Sequence, residues 1–108
     1  MYTLVEMMMA MTPEKKVKQT VTKHLKEYGN DVYYFFPTTG GYGRSGVPDI
    51  VGCYKGRFFA IECKAAKNTT TKLQDLEIGK IRQAGATAWI VNEDNVDSIH
   101  TALASLIK

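Results

Sequence analysis

The segment GVPDIVGCYKGRFFAIECKAA, residues 46–66, contains two strand-like runs on either side of a short turn. Both segments are rich in β-branched and aromatic residues, and they meet at Lys55-Gly56, which predicts a β-hairpin. Each segment also carries a carboxylate among apolar neighbours. Asp49 follows a proline, and Glu62 lies two residues before Lys64.

The register of this hairpin predicts which side chains converge. If Lys55 and Gly56 are the central turn residues, pairing outward places Asp49 opposite Glu62, with Cβ atoms roughly 5 Å apart. Side chains alternate between faces along a strand, so Lys64 lies on the same face as both acids. The rest of that face carries residues typical of a core, namely Val51, Cys53, Phe58 and Ala60.

Two acids and a lysine on one sheet face are costly to bury unless positive charge lies between the carboxylates. A divalent cation with oxygen ligands satisfies this requirement, and Mg²⁺ typically uses only one or two protein carboxylates. The alternative is a structural ion pair between Lys64 and one of the two acids. The residues of the hairpin alone leave both interpretations open.

Two residues outside the hairpin are further candidates. Glu14 lies about 60° from Val17 around the first predicted helix, within its inward-facing stripe. It is either a third carboxylate of the cluster or a first-turn acid that serves the helix dipole. Gln74 shares a stripe with Ile78 in the second predicted helix. It is therefore either a residue that points toward the sheet or a capping or surface glutamine.

The whole chain predicts the order α-β-β-β-α-β-α, with one mixed sheet and helices against its faces. Thr12 and Pro13 begin the first helix, a threonine caps the second, and Gly85 ends it. At 108 residues the chain is long enough for one domain. We assign residues 12–108 to that domain and residues 1–11 to an N-terminal tail. The predicted segments are DVYYFFP, PDIVGCY, RFFAIECKA and TAWIVN as strands, with helices in MTPEKKVKQTVTKHLKEYGN, NTTTKLQDLEIGKIRQAGA and EDNVDSIHTALASLIK.

Composition is that of an ordinary globular protein, with 44% apolar and 23% charged residues. A net charge of +3 permits a polyanionic partner without requiring one. The two cysteines have neither metal-ligand nor disulfide-framework spacing, which favours a reducing, cytoplasmic setting. The N-terminal residues do not resemble a secretory signal, and no run approaches the roughly 20 apolar residues of a membrane span.

Two other features of the sequence could suggest a dinucleotide-binding site or a zinc site, and neither site is expected. GYGRSG, residues 41–46, matches the dinucleotide-binding pattern G-x-G-x-x-G, but a strand follows it where that pattern requires a helix. His24 and His100 have no partner at ligand spacing in the sequence and are interpreted as structural or boundary residues. A zinc site built from these histidines and the two cysteines is not expected.

Taken in order, an acid in the first helix, Pro48-Asp49, the triplet Glu62-Cys63-Lys64, and Gln74 resemble the PD-(D/E)xK nuclease superfamily. More narrowly, GRSGVPDIVG, FFAIECKA and TKLQ resemble the single-domain virus-type replication-repair nuclease (VRR-NUC) family. The resemblance spans about residues 12 to 95. It implies an α/β fold with a restriction-endonuclease-like αβββαβ core, here followed by an extra C-terminal helix.

The resemblance also implies roles for individual residues. Asp49 and Glu62 would bind Mg²⁺ or Mn²⁺, together with Glu14 and the backbone carbonyl of Cys63. Lys64 would orient the attacking water or stabilise developing charge, and Gln74 would support the site. The glycine-rich loop would contact DNA through Tyr42, Arg44 and Ser45.

The function implied is a metal-dependent DNA endonuclease acting on branched DNA, four-way junctions ahead of flaps, in replication, repair or recombination. A homodimer is expected, because one site cuts one strand, and the cytoplasm of a bacterial cell or phage-infected host is the expected location. The alternatives are a restriction-type or general duplex nuclease, and a non-catalytic DNA-binding or scaffold module that retains the fold.

Overall fold

The secondary structure follows the predicted order. A computed structural model describes residues 3–4, 11–38, 44–65 and 67–108. Short 3₁₀ turns lie at Gly29–Asp31 and Val96–Ser98. The longer elements are α1 (Pro13–Lys26), β1 (Val32–Phe35), β2 (Ile50–Tyr54), β3 (Arg57–Cys63), α2 (Lys72–Gln83), β4 (Thr87–Val91) and α3 (Ile99–Leu106).

The central hairpin has the predicted register. Pairing runs from Tyr54 with Arg57 at the turn to Ile50 with Ile61 at the far end. Lys55 and Gly56 adopt φ values of 49° and 84°. Positive φ at both central residues is what a two-residue turn needs to match the twist of its strands.

The sheet is mixed, with strand order β1-β2-β3-β4. The first three strands pair antiparallel, and β3 pairs parallel with β4. A parallel neighbour cannot be reached through a tight turn, so α2 serves as the crossover between β3 and β4. The predicted α/β fold with a mixed sheet is confirmed.

Helices cover both faces of the sheet. The larger core lies between the sheet and α1 with α3; it includes Val21, Leu25, Phe59, Ile61, Ile99 and Leu103. On the opposite face, Val51, Ala60 and Ala88 pack against Ile78 of α2. Phe58 also belongs to this second face, but it lies beside the hairpin turn, outside the group that packs with Ile78, and is 45% exposed. Its assignment to the core was wrong.

The last helix begins later than the sequence pattern predicts. The Asn92 side chain accepts hydrogen bonds from the backbone N–H groups of Asp94 and Asn95, and the Asn95 side chain accepts one from Asn92 N–H. Such local side-chain bonds compete with helix formation. The α-helix therefore begins only at Ile99.

Candidate metal and catalytic site

The acid pair lies where β2 begins and β3 ends. Asp49 directly precedes β2, and Glu62 is the penultimate residue of β3. Continuing the hairpin register by one step beyond Ile50 and Ile61 brings Asp49 opposite Glu62. The hairpin therefore determines that these two carboxylates meet at one end of the two central strands.

Asp49 is held by the backbone of the neighbouring strand. Its Oδ2 accepts a hydrogen bond of 2.8 Å from the Cys63 N–H. This bond fixes the orientation of the carboxylate with one oxygen engaged. Pro48 beside it is fully buried, which anchors the start of the strand.

Lys64 lies between two acids, Glu62 and Glu14, and we call Asp49, Glu62 and Lys64 the acid–lysine cluster. Its Nζ is 3.4 Å from Glu62 Oε2 and 3.7 Å from Glu14 Oε1. The Lys64 side chain is 11% exposed, whereas that of Glu14 is about half exposed. The backbone N–H of Lys64 donates to the Val91 carbonyl, so the parallel ladder with β4 holds this residue in place.

Gln74 joins the start of α2 to the acid pair. Its Oε1 accepts from Thr71 N–H at 2.9 Å, and Thr71 Oγ1 accepts from Gln74 N–H, which forms a capping box. Its Nε2 donates to Glu62 Oε2 at 2.9 Å. The two interpretations of Gln74, a capping residue and a residue facing the sheet, therefore both hold.

Glu62 has an unsatisfied oxygen. The residue is 3% exposed, and within the described part of the chain its Oε1 is the buried side-chain atom that has no hydrogen-bond partner. Burial, followed by the negative charge of Asp49, raises the pKa of Glu62 from 4.5 to about 7, and the Lys64 ammonium only partly offsets this rise. A buried acceptor without a partner costs free energy in the absence of a ligand.

These residues fit a hard divalent cation. The donors are carboxylate oxygens, which Mg²⁺ and Mn²⁺ prefer. A cation beside Glu62 Oε1 would satisfy that oxygen and would reverse the effect of burial on its pKa. Glu14 lies on the other side of Lys64 and reaches the cluster through that lysine.

Cys63 contributes its backbone to the site. Its side chain is fully buried in the larger core, and burial raises the pKa of its thiol to about 12, so the thiol is unreactive. The N–H of Cys63 holds Asp49. The metal-binding role of its carbonyl stays a prediction.

The glycine-rich loop is described only from Arg44 onward. Tyr42 lies outside the described residues. Arg44 Nε donates to Glu77 Oε1 at 3.0 Å, with Arg44 two-thirds exposed and Glu77 nearly buried, and Ser45 is exposed. Sequence reasoning missed Glu77, although its position three residues after Gln74 on α2 indicates the same side of the helix.

Solved structures share this fold. One described as "VRR_NUC domain" has a TM-score of 0.71 and 21% sequence identity, covering 84% of this chain and 97% of that chain. Another, "VRR_NUC domain protein", has a TM-score of 0.62 and 19% identity, covering 89% and 91%. No curated protein matches the chain.

The mixed four-stranded sheet flanked by helices is the restriction-endonuclease-like fold of VRR-NUC domains, as the predicted resemblance implies. A family model described as archaeal Holliday junction resolvase (Hjc) matches residues 14–101. The chain belongs to this nuclease family. In the described part of the chain, no helix combines the length and apolar character needed to cross a bilayer.

Proposed function

We propose that the chain is a divalent-metal-dependent endodeoxyribonuclease that hydrolyses phosphodiester bonds, with branched DNA preferred over linear duplex. The observation that carries the proposal is the buried Glu62 Oε1, which lacks a hydrogen-bond partner among the described residues and lies beside Asp49 and Lys64. The chain belongs to a family described as Holliday junction resolvases, which supports a four-way junction rather than a flap as the preferred substrate.

Asp49 and Glu62 would hold Mg²⁺ or Mn²⁺, with Glu14 completing the shell directly or through water. Asp49 has Oδ2 engaged by Cys63 N–H, which leaves Oδ1 for the cation. Bound there, the cation would act as a Lewis acid on the scissile phosphate and lower the pKa of a water molecule.

Lys64 supplies a fixed positive charge beside the acids. In a phosphodiester hydrolysis, negative charge grows on the phosphate oxygens, and a preorganised ammonium stabilises it without reorganisation. Lys64 also orients the attacking water by donating a hydrogen bond to it. Gln74 positions Glu62 through the bond to its Oε2, which directs Oε1 toward the cation.

A basic surface next to the site supports a DNA backbone as the partner. Side chains of α1 line a groove of about 730 Å³ together with Phe36, and its basic members are Lys15, Lys18, Lys23 and Lys26. Arg44 and Ser45 are exposed on the loop before β2. Contacts of this type fix a duplex in register without reading its sequence.

The proposed homodimer interface is the edge strand β1. Tyr33 and Phe35 of edge strand β1 are 72% and 50% exposed, respectively. Exposed apolar side chains on an open edge strand favour association with another chain. Two copies would bring two sites to the two strands that a junction requires to be cut.

Cleavage of end-labelled four-way junction, flap and linear duplex in Mg²⁺ tests the proposal, with EDTA as the blank. We expect paired nicks in the junction and slow cutting of duplex. Equal cutting of all three would leave the chemistry and remove the branched-DNA preference. Binding without cutting in either Mg²⁺ or Mn²⁺ would contradict the nuclease proposal and favour the non-catalytic binding module.

Substituting Arg44 with alanine is expected to weaken DNA binding and to lower the slope of log affinity against log salt by about one. Because Glu77 loses its ion-pair partner, the free energy of unfolding should also fall, by about 1 kcal/mol. Fluorescence anisotropy at several salt concentrations measures the slope. Arg57→Ala is the matched control, since Arg57 is exposed at the far end of β3, about 17 Å from Glu62. Identical slopes for Arg44→Ala and the wild type would rule out the phosphate contact.

Mg²⁺ binding should depend on pH through Glu62. A cation competes with the proton, and the Glu62 pKa of about 7 means that apparent Mg²⁺ affinity falls by about tenfold from pH 8 to pH 6.

The stability of the metal-free protein should also depend on pH through Glu62. Because the Glu62 pKa is higher in the folded than in the unfolded state, protonation of Glu62 stabilises the fold. This contribution to stability is complete below pH 4.5 and is lost as pH rises through about 7. Thermal midpoints with and without Mg²⁺ across this range measure both effects. Glu62→Gln should remove both, and an equal pH dependence in that variant would contradict the assignment.

A further inference from the structure

A second group of metal-ligating side chains lies away from the acid–lysine cluster. It consists of His24 and Glu27 at the end of α1 and His100 in the first turn of α3, and we call it the histidine cluster. His24 is ten residues beyond Glu14 along the chain, about 15 Å along the helix axis. We propose that the histidine cluster binds Zn²⁺ and fastens α3 to α1.

The separations of the candidate ligand atoms suit tetrahedral zinc. His24 Nδ1 and His100 Nε2 are 3.2 Å apart. Glu27 Oε2 is 3.6 Å from His100 Nε2, and Glu27 Oε1 is 3.8 Å from His24 Nδ1. Zinc bonds of about 2.0–2.1 Å to imidazole and carboxylate correspond to ligand–ligand edges of about 3.3 Å in a tetrahedron. The two Glu27 distances involve different carboxylate oxygens, and one ligand atom from each of the three residues lies within 4.8 Å of the other two. Rotation of the exposed Glu27 side chain would therefore have to bring a single oxygen to about 3.3 Å from both nitrogens.

The remaining ring nitrogens are supported as they are in known zinc sites. His24 Nε2 lies 3.2 Å from Asp97 Oδ1, and His100 Nδ1 lies 2.8 Å from the Tyr28 hydroxyl. A histidine that binds a metal usually donates its second N–H to a carboxylate or another acceptor. An ionised Asp97 has no proton to donate and can only accept a hydrogen bond. A neutral His24 that bonds to it therefore carries its proton on Nε2, which directs the Nδ1 lone pair into the histidine cluster.

His100 can adopt the tautomer that zinc needs. Without metal, the short distance between the imidazoles requires His100 Nε2–H to donate to His24 Nδ1, with the Tyr28 hydroxyl donating to His100 Nδ1. When zinc binds, the proton occupies His100 Nδ1 and the bond to Tyr28 reverses, because a hydroxyl both donates and accepts. The ring stays neutral, and no net proton is lost from it.

The donor set favours zinc over magnesium. Two imidazoles and one carboxylate match borderline-soft first-row metals, whereas Mg²⁺ prefers oxygen ligands. Glu27 is more than half exposed and His100 is 40% exposed, so solvent can supply the fourth ligand. The ligands come from helices far apart in sequence, so only the folded chain brings them together. Zinc would therefore bind the folded state and not the unfolded state, which would raise the thermal midpoint.

Zn²⁺ titration of the full chain carrying Asp49→Asn tests the proposal, because this background removes the acid pair at the other site. Calorimetry should give one equivalent of zinc, unaffected by excess Mg²⁺, together with a higher thermal midpoint. Adding Glu27→Gln or His100→Gln should weaken binding at least about tenfold. Asp94→Asn, at an exposed carboxylate outside the cluster, should leave it unchanged.

Glu27→Gln keeps the shape of an exposed side chain, so loss of binding in that variant would not reflect unfolding. Co²⁺ should give visible bands of a tetrahedral site without a sulfur charge-transfer band, which excludes the cysteines. The proposal would be overturned if the Glu27→Gln and His100→Gln variants bound zinc as tightly as the Asp49→Asn background does. It would also be overturned if that background bound no zinc. Because the background lacks Asp49, neither result depends on the nuclease activity.

Discussion

Asp49→Asn is expected to lower the rate of DNA cleavage by about a thousandfold or more. The amide oxygen can still accept the hydrogen bond from Cys63 N–H, so the fold is preserved. What is lost is the negative charge that would hold the cation against Glu62. Single-turnover cleavage of a labelled junction in Mg²⁺ measures the effect.

DNA affinity in Ca²⁺ should change little for this variant, because the basic residues of α1 and Arg44 are untouched. Asp31→Asn is the matched control, since Asp31 is an exposed aspartate in the 3₁₀ turn before β1. That control should cleave at the wild-type rate. An Asp49→Asn protein that did the same would exclude the acid pair from the chemistry.

Gly46→Ala should both destabilise the fold and impair cleavage. Gly46 has φ of +79°, and a Cβ placed there would lie 2.4 Å from the Leu73 carbonyl oxygen and 2.8 Å from the Gln74 backbone nitrogen. These are backbone atoms of the first turn of α2, so relief of the clash requires the loop at Gly46 to move away from α2 or the turn that holds Gln74 against Glu62 to move. We expect a loss of about 2–4 kcal/mol in the free energy of unfolding.

Gly79→Ala provides the matched control within the same helix. Outside the backbone of its own helix, a Cβ at Gly79 would meet no atom of the described residues within 4 Å, and its φ is not positive. Alanine there should stabilise the protein by about 0.5–1 kcal/mol through helix propensity. Chemical denaturation measures both changes. Equal stability of the two variants would show that Gly46 does not need to approach α2 closely.

Much of the site follows from local rules in the sequence. The Lys55-Gly56 turn sets the hairpin register, and the register with strand alternation brings Asp49, Glu62 and Lys64 to one face. Thr71 caps α2, and its capping box places Gln74 in the first turn. Each step depends on residues close in sequence, which is why it could be predicted without coordinates.

Other features depend on how distant elements pack. His24 and His100 have no ligand spacing in the sequence, and only the packing of α3 against α1 brings their nitrogens to 3.2 Å. The pairing of Arg44 with Glu77 similarly requires the loop before β2 to meet the middle of α2. Local periodicity contains no information on such crossings, so these contacts could not be predicted.

The acid–lysine cluster is a local conflict that a ligand would resolve. Glu62 occupies an interior strand position that an apolar residue would fill at lower cost, and its Oε1 has no partner among the described residues. Such departures from folding rules concentrate at functional sites. A cation between the carboxylates would turn an unfavourable burial into a stabilising contact.

Anomalous diffraction from crystals grown with Mn²⁺ tests whether the two carboxylates bind a cation, because it locates the ion itself. We expect a peak between the Asp49 and Glu62 carboxylates, about 2.0–2.6 Å from Glu62 Oε1. Crystals of Asp49→Asn grown in the same way should lack it. Wild-type crystals with no peak beside Glu62 would contradict the account and leave the cluster as a structural ion pair.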